Sequence, residues 1–213
     1  MEQVKTLVFN PFQVNTYIIY DENGKCVIID PAFSSASEEE TFETFLSRNR
    51  LSPVAQLNTH CHVDHLPGVT YLREQHHLPF HAHPGELDNI RNAPLMGQLF
   101  GFTNATPDRI DRPLHDGELI SFGSIELQVL HVPGHSEGSL AFYSAAGGFV
   151  ITGDALFQGS IGRTDLPGGD YDTLIASIRT RLLTLPAATR VYPGHGPYSS
   201  IGQENSTNPF LKE

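Results

Sequence analysis

Short apolar runs separated by turn residues fill the first thirty positions of the chain. Runs rich in valine, isoleucine, tyrosine and phenylalanine predict three β-strands, at residues 4–9, 14–20 and 26–30. The segment Asp21-Glu22-Asn23-Gly24 separates the second run from the third, and its Asn-Gly pair is a strong hairpin signal. The pattern therefore predicts that the fold begins with strands, two of which form a hairpin.

The apolar spacing then changes to that of helices. Ser37-Glu38-Glu39-Glu40 has the pattern of a capping box, and Phe42, Phe45 and Leu46 follow at helical spacing. The same reasoning predicts a strand at 54–58 and helices at 67–77 and 85–92. Residues 93–113 are interrupted by glycine, asparagine, threonine and proline, which predicts an irregular loop over a site.

The second half of the chain repeats the succession of strands and helices. Strands are predicted at 118–122, 125–132, 139–143, 149–152 and 190–192, and helices at 170–183 and 201–206. This order indicates two sheets packed face to face with helices outside, rather than one doubly wound sheet. Because no linker or charge block divides the chain, residues 1–213 are predicted to form a single domain.

The run Thr59-His60-Cys61-His62-Val63-Asp64-His65 carries the clearest chemical signal in the chain. Zinc-type cations bind imidazole nitrogen and carboxylate oxygen at about 2.0–2.2 Å. On an extended segment His60 and His62 point the same way, and Asp64 continues that alternation. His65 breaks it, so the segment is predicted to serve two neighbouring metal positions. Cys61 should point away from them as a packed thiol.

Three further candidate ligands, His135, Asp154 and His195, share one local pattern. Each follows an apolar strand and a glycine, and loops at strand ends commonly carry functional groups on a rigid scaffold. The repetition of this pattern beside the histidine run predicts that all these residues meet at one metal site. His81 and His83 also alternate, but they are interpreted as structural or supporting residues.

Composition and charge narrow the range of partners. The chain has 13 basic and 24 acidic residues, a net charge of −11, which argues against binding to nucleic acid or to an anionic membrane surface. Its two cysteines form no disulfide framework. The sequence shows no signal-peptide pattern and no apolar run long enough to span a membrane, so a cytoplasmic location is expected.

These motifs together resemble those of the metallo-β-lactamase fold hydrolases. Within that group the chain is most similar to the glyoxalase II-like branch, the hydroxyacylglutathione hydrolases. The matching stretches are Asn15-Thr16-Tyr17, 59–65, 133–138, Thr152-Gly153-Asp154, 159–169, 193–197 and Asn208-Pro209-Phe210. The chain resembles a short form of that branch, without the C-terminal helical domain of the larger enzymes.

The resemblance implies a fold, a ligand set and a reaction. The fold would be α/β (α+β), a four-layer αββα sandwich of two mixed β-sheets. One divalent metal would be held by His60, His62 and His135, and a second by Asp64, His65 and His195, with Asp154 bridging the two. Zinc is favoured, and iron and manganese suit the same donors. A hydroxide between the metals would attack a thioester such as S-D-lactoylglutathione, releasing glutathione and a hydroxy acid, with Asp64 orienting the nucleophile.

The expected partner is therefore a small-molecule thioester. Glutathione is anionic, so its binding by this acidic chain needs a local positive charge, for which Arg91, Arg163 and Lys212 are candidates. Arg163 is interpreted first as a structural partner of Asp165 and second as a substrate-binding residue.

Three other readings of the chain stay open. A mononuclear iron persulfide dioxygenase shares the fold, but it needs only two histidines and one aspartate. Gly134-His135-Ser136-Glu137-Gly138 matches the nucleophile elbow of serine esterases, although the alternating residues that follow predict a strand instead of the required helix. A non-enzymatic binding protein on the same scaffold would be expected to lose ligands, whereas this chain keeps all seven.

Overall fold

Strands that are apolar on both faces form the middle of the molecule. The computed structural model describes residues 2–104 and 106–212. Its first sheet has the strand order β1-β2-β3-β4-β5-β6, with β1 at Gln3–Phe9, β2 at Val14–Tyr20, β3 at Lys25–Ile29, β4 at Ser52–Leu57, β5 at Phe80–Ala82 and β6 at Arg112–Pro113. The first three strands pair antiparallel and the last three pairings are parallel, so the sheet is mixed.

The second sheet is built from the later half of the chain. Its strands are β7 at Leu119–Phe122, β8 at Ile125–His131, β9 at Leu140–Ser144, β10 at Phe149–Gly153, β13 at Arg190–Pro193 and β14 at Ser199–Ser200. They lie in the order β14-β13-β10-β9-β8-β7, and only β10 and β13 pair parallel. A separate two-stranded ribbon is formed by β11 at Leu156–Phe157 and β12 at Ser160–Ile161.

Helices cover the outer face of each sheet. They are α1 at Ala36–Asn49, α2 at Val69–Gln75, α3 at Leu87–Phe100, α4 at Tyr171–Ser177 and α5 at Ile201–Thr207; α4 continues into a π-helical turn at Ile178–Leu182. No helix among the described residues combines the length and the apolar character needed to cross a bilayer.

Alternate residues of the strands feed different apolar layers. On β2, Tyr17 and Ile19 pack between the two sheets, whereas Ile18 points outwards to the layer beneath α1 and α2. On β10, Ile151 joins the layer between the sheets and Val150 joins the layer beneath α4. The predicted αββα sandwich of two mixed sheets is therefore confirmed. That residues 1–213 form one domain stays a prediction, and Met1, Ala105 and Glu213 lie outside the described residues.

The structure corrects two of the predicted helices. Helix α1 begins two residues early: Ser35 is the N-cap and accepts the backbone N–H of Glu38, so Ser37 lies inside the helix. Helix α3 runs on to Phe100, through residues predicted to be irregular. Ile90, Ala93 and Gly97 are buried along one face of α3, so tertiary packing outweighs the unfavourable effect of a proline inside the helix.

Candidate metal centre

The histidine run begins where β4 ends. His60, Cys61 and His62 follow outside any helix or strand, with His62 in an extended conformation, and a 3-10 turn follows at Val63–His65. The predicted alternation therefore stops at His62, and Asp64 reaches the site from the turn. Cys61 points into the apolar layer against α2 and α3, as predicted, and burial raises the pKa of its thiol well above the usual value.

The glycine before two of the later candidates permits close packing at the site. A Cβ on Gly194 would lie 2.0 Å from Oδ1 of Asp154, so no other residue fits at that position without movement. A Cβ on Gly153 would lie 2.3 Å from Oγ1 of Thr59, and Gly153 has a positive φ of 50°. These contacts explain why a glycine precedes Asp154 and His195.

All seven predicted ligands lie together in the structure. The first group is His60, His62 and His135, here called the enclosed set, and the second is Asp64, His65 and His195, here called the open set; within each, the donor atoms lie within 4.8 Å of one another. Nε2 of His60 is 3.3 Å from Nε2 of His135, and Nε2 of His65 is 3.3 Å from Nε2 of His195.

Asp154 lies between the two sets. It forms a third group with one histidine of each, His60 and His65. Its Oδ2 is 3.7 Å from Nε2 of His135 and 3.4 Å from Nε2 of His195. Asp64 also contributes to the centre, since its Oδ2 is 3.4 Å from Nε2 of His195.

The histidines of the two sets differ in how readily they take up a proton. Burial and the neighbouring imidazoles His65 and His135 lower the pKa of His60 well below its usual value. Burial opposes protonation of His195, but hydrogen bonds to Asp154 and Asp64 outweigh it and raise the pKa to about 10. Burial would raise the pKa of Asp154, but His65 and His195 lower it below its usual range. A cation entering the open set would therefore displace protons.

Three of the five histidines are oriented by a hydrogen-bond acceptor on the far side of the ring. Nδ1 of His135 is 2.8 Å from the carbonyl oxygen of Arg163, and Nδ1 of His195 is 2.9 Å from that of Phe12. Nδ1 of His60 is 3.1 Å from Oγ1 of Thr59. Nδ1 of His65 lies 3.2 Å from Oδ2 of Asp30 as an ion-pair contact without hydrogen-bond geometry. Such partners fix the tautomer and direct Nε2 at the centre, as metal-binding histidines require.

Two supporting groups were not found from the sequence. Asp30 is fully buried after β3, where it accepts both the backbone N–H and the hydroxyl of Thr59 at 2.7 Å. Asn15 bonds to the loop that carries His195, since its side-chain amide donates to the carbonyl oxygens of Pro193 and Gly196. Asp30 directly follows an apolar strand, as several of the candidate ligands do. This position is the feature of the sequence that could have indicated its role in the site.

The side chain of Ser136 is not arranged as a nucleophile. It is buried, its hydroxyl donates to Oε1 of Glu86 at 2.5 Å, and it also contacts the hydroxyl of Ser139. The strand β9 follows at Leu140, in place of the helix that a nucleophile elbow needs. These contacts give Ser136 a structural role beside His135.

The side chain of Arg163 pairs with Asp165 on the surface. The guanidinium contacts Oδ2 of Asp165 at 2.7 Å, and the arginine side chain is 60% exposed. His81 is buried with Nδ1 2.9 Å from the carbonyl oxygen of Gln56, and Nδ1 of His83 accepts the N–H of Gly85. Arg163, His81 and His83 therefore each make a contact that supports the surrounding chain. Substrate binding by Arg163 stays a prediction.

The donor set fits divalent cations. A tetrahedral ion with nitrogen ligands at about 2.0–2.1 Å holds those nitrogens about 3.3–3.4 Å apart, close to the two imidazole separations in this site. Oδ1 of Asp154 is buried, and no hydrogen-bond donor in residues 2–104 or 106–212 satisfies it. Imidazole and carboxylate donors suit zinc and also iron or manganese.

Comparison with known proteins agrees with this arrangement. Residues 9–195 match the model of the metallo-beta-lactamase superfamily. The chain belongs to the metallo-β-lactamase superfamily. The match includes every one of the seven candidate ligands, so the sequence resemblance to this superfamily is confirmed.

Individual known proteins match nearly the whole chain. The hydroxyacylglutathione hydrolase GloC of Haemophilus influenzae is 36% identical over 211 residues, covering 98% of this chain and 97% of that protein. The structure of the BLEG-1 B3 metallo-beta-lactamase is 37% identical, with a TM-score of 0.91 over 99% of this chain and all of that one. TTHA1623, solved in a di-iron-bound form, is 42% identical, with a TM-score of 0.87 over 97% of this chain and all of that one.

Proposed function

We propose that this protein is a dinuclear metal-dependent thioesterase that cleaves thioesters such as S-D-lactoylglutathione to glutathione and a hydroxy acid. The observation that carries the proposal is the pair of complete donor sets joined by Asp154. The similarity to the hydroxyacylglutathione hydrolase GloC along nearly the full length of both chains supports the choice of substrate.

Each donor set would hold one ion. His60, His62 and His135 would hold the first, and the open set of Asp64, His65 and His195 would hold the second. Asp154 would bridge them, because its Oδ2 faces a histidine of each set. Zinc is the preferred ion for a hydrolase with these donors, and the di-iron form of TTHA1623 supports iron as the alternative.

The residues of the site divide the work of hydrolysis. When bound, two divalent cations would lower the pKa of a water molecule and polarise the thioester carbonyl. Asp64 stays ionised, because His65 and His195 outweigh the effect of burial and hold its pKa below the usual value. Its carboxylate would accept a hydrogen bond from the attacking water and orient it. The leaving thiolate is stable, so no strong general acid is needed.

Substrate would approach from the side of His195. The side chain of His195 is 28% exposed. His60 and His135 are buried, with 1% and 2% of the whole residue exposed. The ring of Phe157 lies 6.4 Å from that of His195. A small-molecule thioester is the proposed partner, in the cytoplasm, without nucleic acid or membrane.

The direct test measures release of glutathione from S-D-lactoylglutathione by metal-loaded protein, with and without a chelator. We expect rapid release that the chelator abolishes and that a serine-directed phosphonate leaves unchanged. Fully loaded protein that releases no glutathione would contradict the proposed substrate.

Two other reactions serve as comparison arms. β-Lactam hydrolysis is favoured by the similarity to BLEG-1, so a chromogenic β-lactam is assayed beside the thioester. Persulfide oxidation would need one iron and oxygen, and oxygen consumption with glutathione persulfide measures it. The complete open set favours hydrolysis over this second arm, because a single-iron enzyme has no use for it.

A further inference from the structure

A buried glutamate outside the seven candidate ligands connects two segments of the metal centre. Glu86 ends the 3-10 turn Pro84–Glu86 and is fully buried. Its Oε2 accepts the backbone N–H of Cys61 at 2.7 Å and the side-chain amide of Asn89 at 2.8 Å. Its Oε1 accepts the hydroxyl of Ser136 at 2.5 Å and the backbone N–H of Gly138 at 3.0 Å.

The two oxygens of Glu86 hold different parts of the chain. Cys61 lies between His60 and His62, and Ser136 directly follows His135. One carboxylate therefore spans both segments that carry the enclosed set, although they are more than seventy residues apart in sequence.

The surroundings of Glu86 leave it little freedom. A buried carboxylate is costly unless its oxygens are hydrogen-bonded, and four donors meet that need here. A Cβ on Gly138 would lie 2.8 Å from Oε1 of Glu86, so a glycine is required for this close approach. The position thus accommodates a carboxylate with both oxygens used as acceptors, and an amide has only one acceptor oxygen.

We propose that Glu86 is a positioning residue for the enclosed metal. By fixing the segments of His60, His62 and His135 to one carboxylate, it sets the separation of their imidazoles before an ion binds. The open set is held by other groups, since His65 faces Asp30 and His195 faces the carbonyl oxygen of Phe12. Glu86 should therefore act on one ion and not on the other. This inference rests on the ligand assignment of the proposed function.

The test replaces Glu86 with glutamine, which keeps its size but turns one acceptor into a donor. The affinity of each variant for zinc is measured by competition with a chromophoric chelator, without substrate. In a His195→Ala background, where only the enclosed ion remains tightly bound, Glu86→Gln should weaken zinc binding about 10–100-fold. In a His62→Ala background it should leave the remaining open-site ion unchanged.

Glu204→Gln is the matched control. Glu204 is equally buried and accepts hydrogen bonds from the N–H of Gly159, the amide of Asn208 and the hydroxyl of Ser199, but it contacts neither ligand segment. This variant should lose stability without losing affinity for either ion. If Glu86→Gln lowers stability as Glu204→Gln does and leaves the enclosed ion unchanged, or weakens both ions equally, the positioning role is wrong.

The outcome is separable from that of the proposed function. Wild-type protein that binds two ions but cleaves no thioester would remove the substrate, while the selective effect of Glu86→Gln on zinc affinity would still support its role. Wild-type protein that binds no ion at these residues would overturn both.

Discussion

The two donor sets of the centre differ both in composition and in surroundings: the enclosed set has three imidazoles, whereas the open set has two imidazoles and a carboxylate. In the enclosed set, His60 and His135 are almost inaccessible and are backed by Thr59 and the carbonyl oxygen of Arg163. In the open set, the side chains of Asp64 and His195 are 15% and 28% exposed. His62 of the enclosed set is partly exposed and His65 of the open set is buried, so the contrast rests on the other members of each set. In the proposed function, an ion in the enclosed set would be the more shielded of the two, and substrate would approach the open set at His195.

The two sets also differ in the pKa values of their histidines. Burial, together with His135, lowers the pKa of His62 to about 4, so this enclosed histidine is neutral and ready to bind a cation. Asp64 and Asp154 outweigh burial at His65 and raise its pKa to about 9. The open set must therefore release protons before it binds an ion, which makes its affinity the more sensitive of the two to pH.

Removing Asp154, the proposed shared ligand, should have the largest effect. Asp154→Ala takes away the residue between both sets, and metal catalysis is worth several kcal/mol of transition-state stabilisation. Turnover should fall by more than about a thousandfold, at about 1.4 kcal/mol for each tenfold. Metal content by atomic emission should fall at the same time. His62→Ala should also abolish most turnover, but it should lower metal content only by the enclosed ion. Full activity with full metal content in either variant would disprove the assignment.

Removing a ligand of the open set should separate the two positions. His195→Ala leaves the enclosed set intact, so we expect about one tightly bound ion per chain and turnover lowered by about a hundredfold or more, since one of the two metal contributions is lost. Metal analysis after dialysis and steady-state kinetics measure both. Retention of two tight ions would show that His195 is not a ligand.

Ser136→Ala tests the serine alternative. The change removes one of the four hydrogen bonds to Glu86. A hydrogen bond to a charged group contributes about 1.5–3 kcal/mol to the free energy of unfolding. Thioester turnover should stay within about tenfold of wild type, because Ser136 orients its neighbours and does not attack the substrate. A loss of about ten-thousandfold with metal retained would instead indicate a nucleophile.

Arg163→Gln should have the smallest effect. Its pair with Asp165 is exposed, and solvent and salt screen exposed ion pairs, so the pair contributes little to the free energy of unfolding. If the arginine meets glutathione, KM for the glutathione thioester should rise a few-fold, while KM for a thioester of a neutral thiol stays unchanged. Equal behaviour of both substrates would leave Arg163 with its structural role alone.

The sequence predicted the strands and the meeting of the candidate ligands for a common reason, whereas their binding of metal stays a prediction. Residues such as His135 and His195 follow strands whose apolar pattern is strong, and the glycine before His195 signals the close approach to Asp154. The strands β8, β10 and β13 run in the same direction, so their ends lie at the same edge of the sheet, and local patterns were enough to bring these distant residues together.

The supporting residues and helix limits depend on contacts that no local pattern contains. Glu86 lies in a short turn soon after His81 and His83. Its role in the site depends on a hydrogen bond from Ser136, which is fifty residues further along the chain. The limit of α3 is set by the burial of residues such as Gly97, which local propensity alone would place in a loop. Asp30 is an intermediate case. Its position at the end of a strand is visible in the sequence, but its hydrogen bond from Thr59 is visible only in the structure.

The central claim is that both donor sets are needed to hydrolyse a thioester. The most direct measurement follows glutathione release from S-D-lactoylglutathione while zinc is added back to chelator-stripped protein. We predict little activity without zinc, a rise that continues to two equivalents per chain, and loss of activity when chelator is restored. Full activity at one equivalent, or hydrolysis that the chelator does not affect, would contradict a catalytic centre built from both sets.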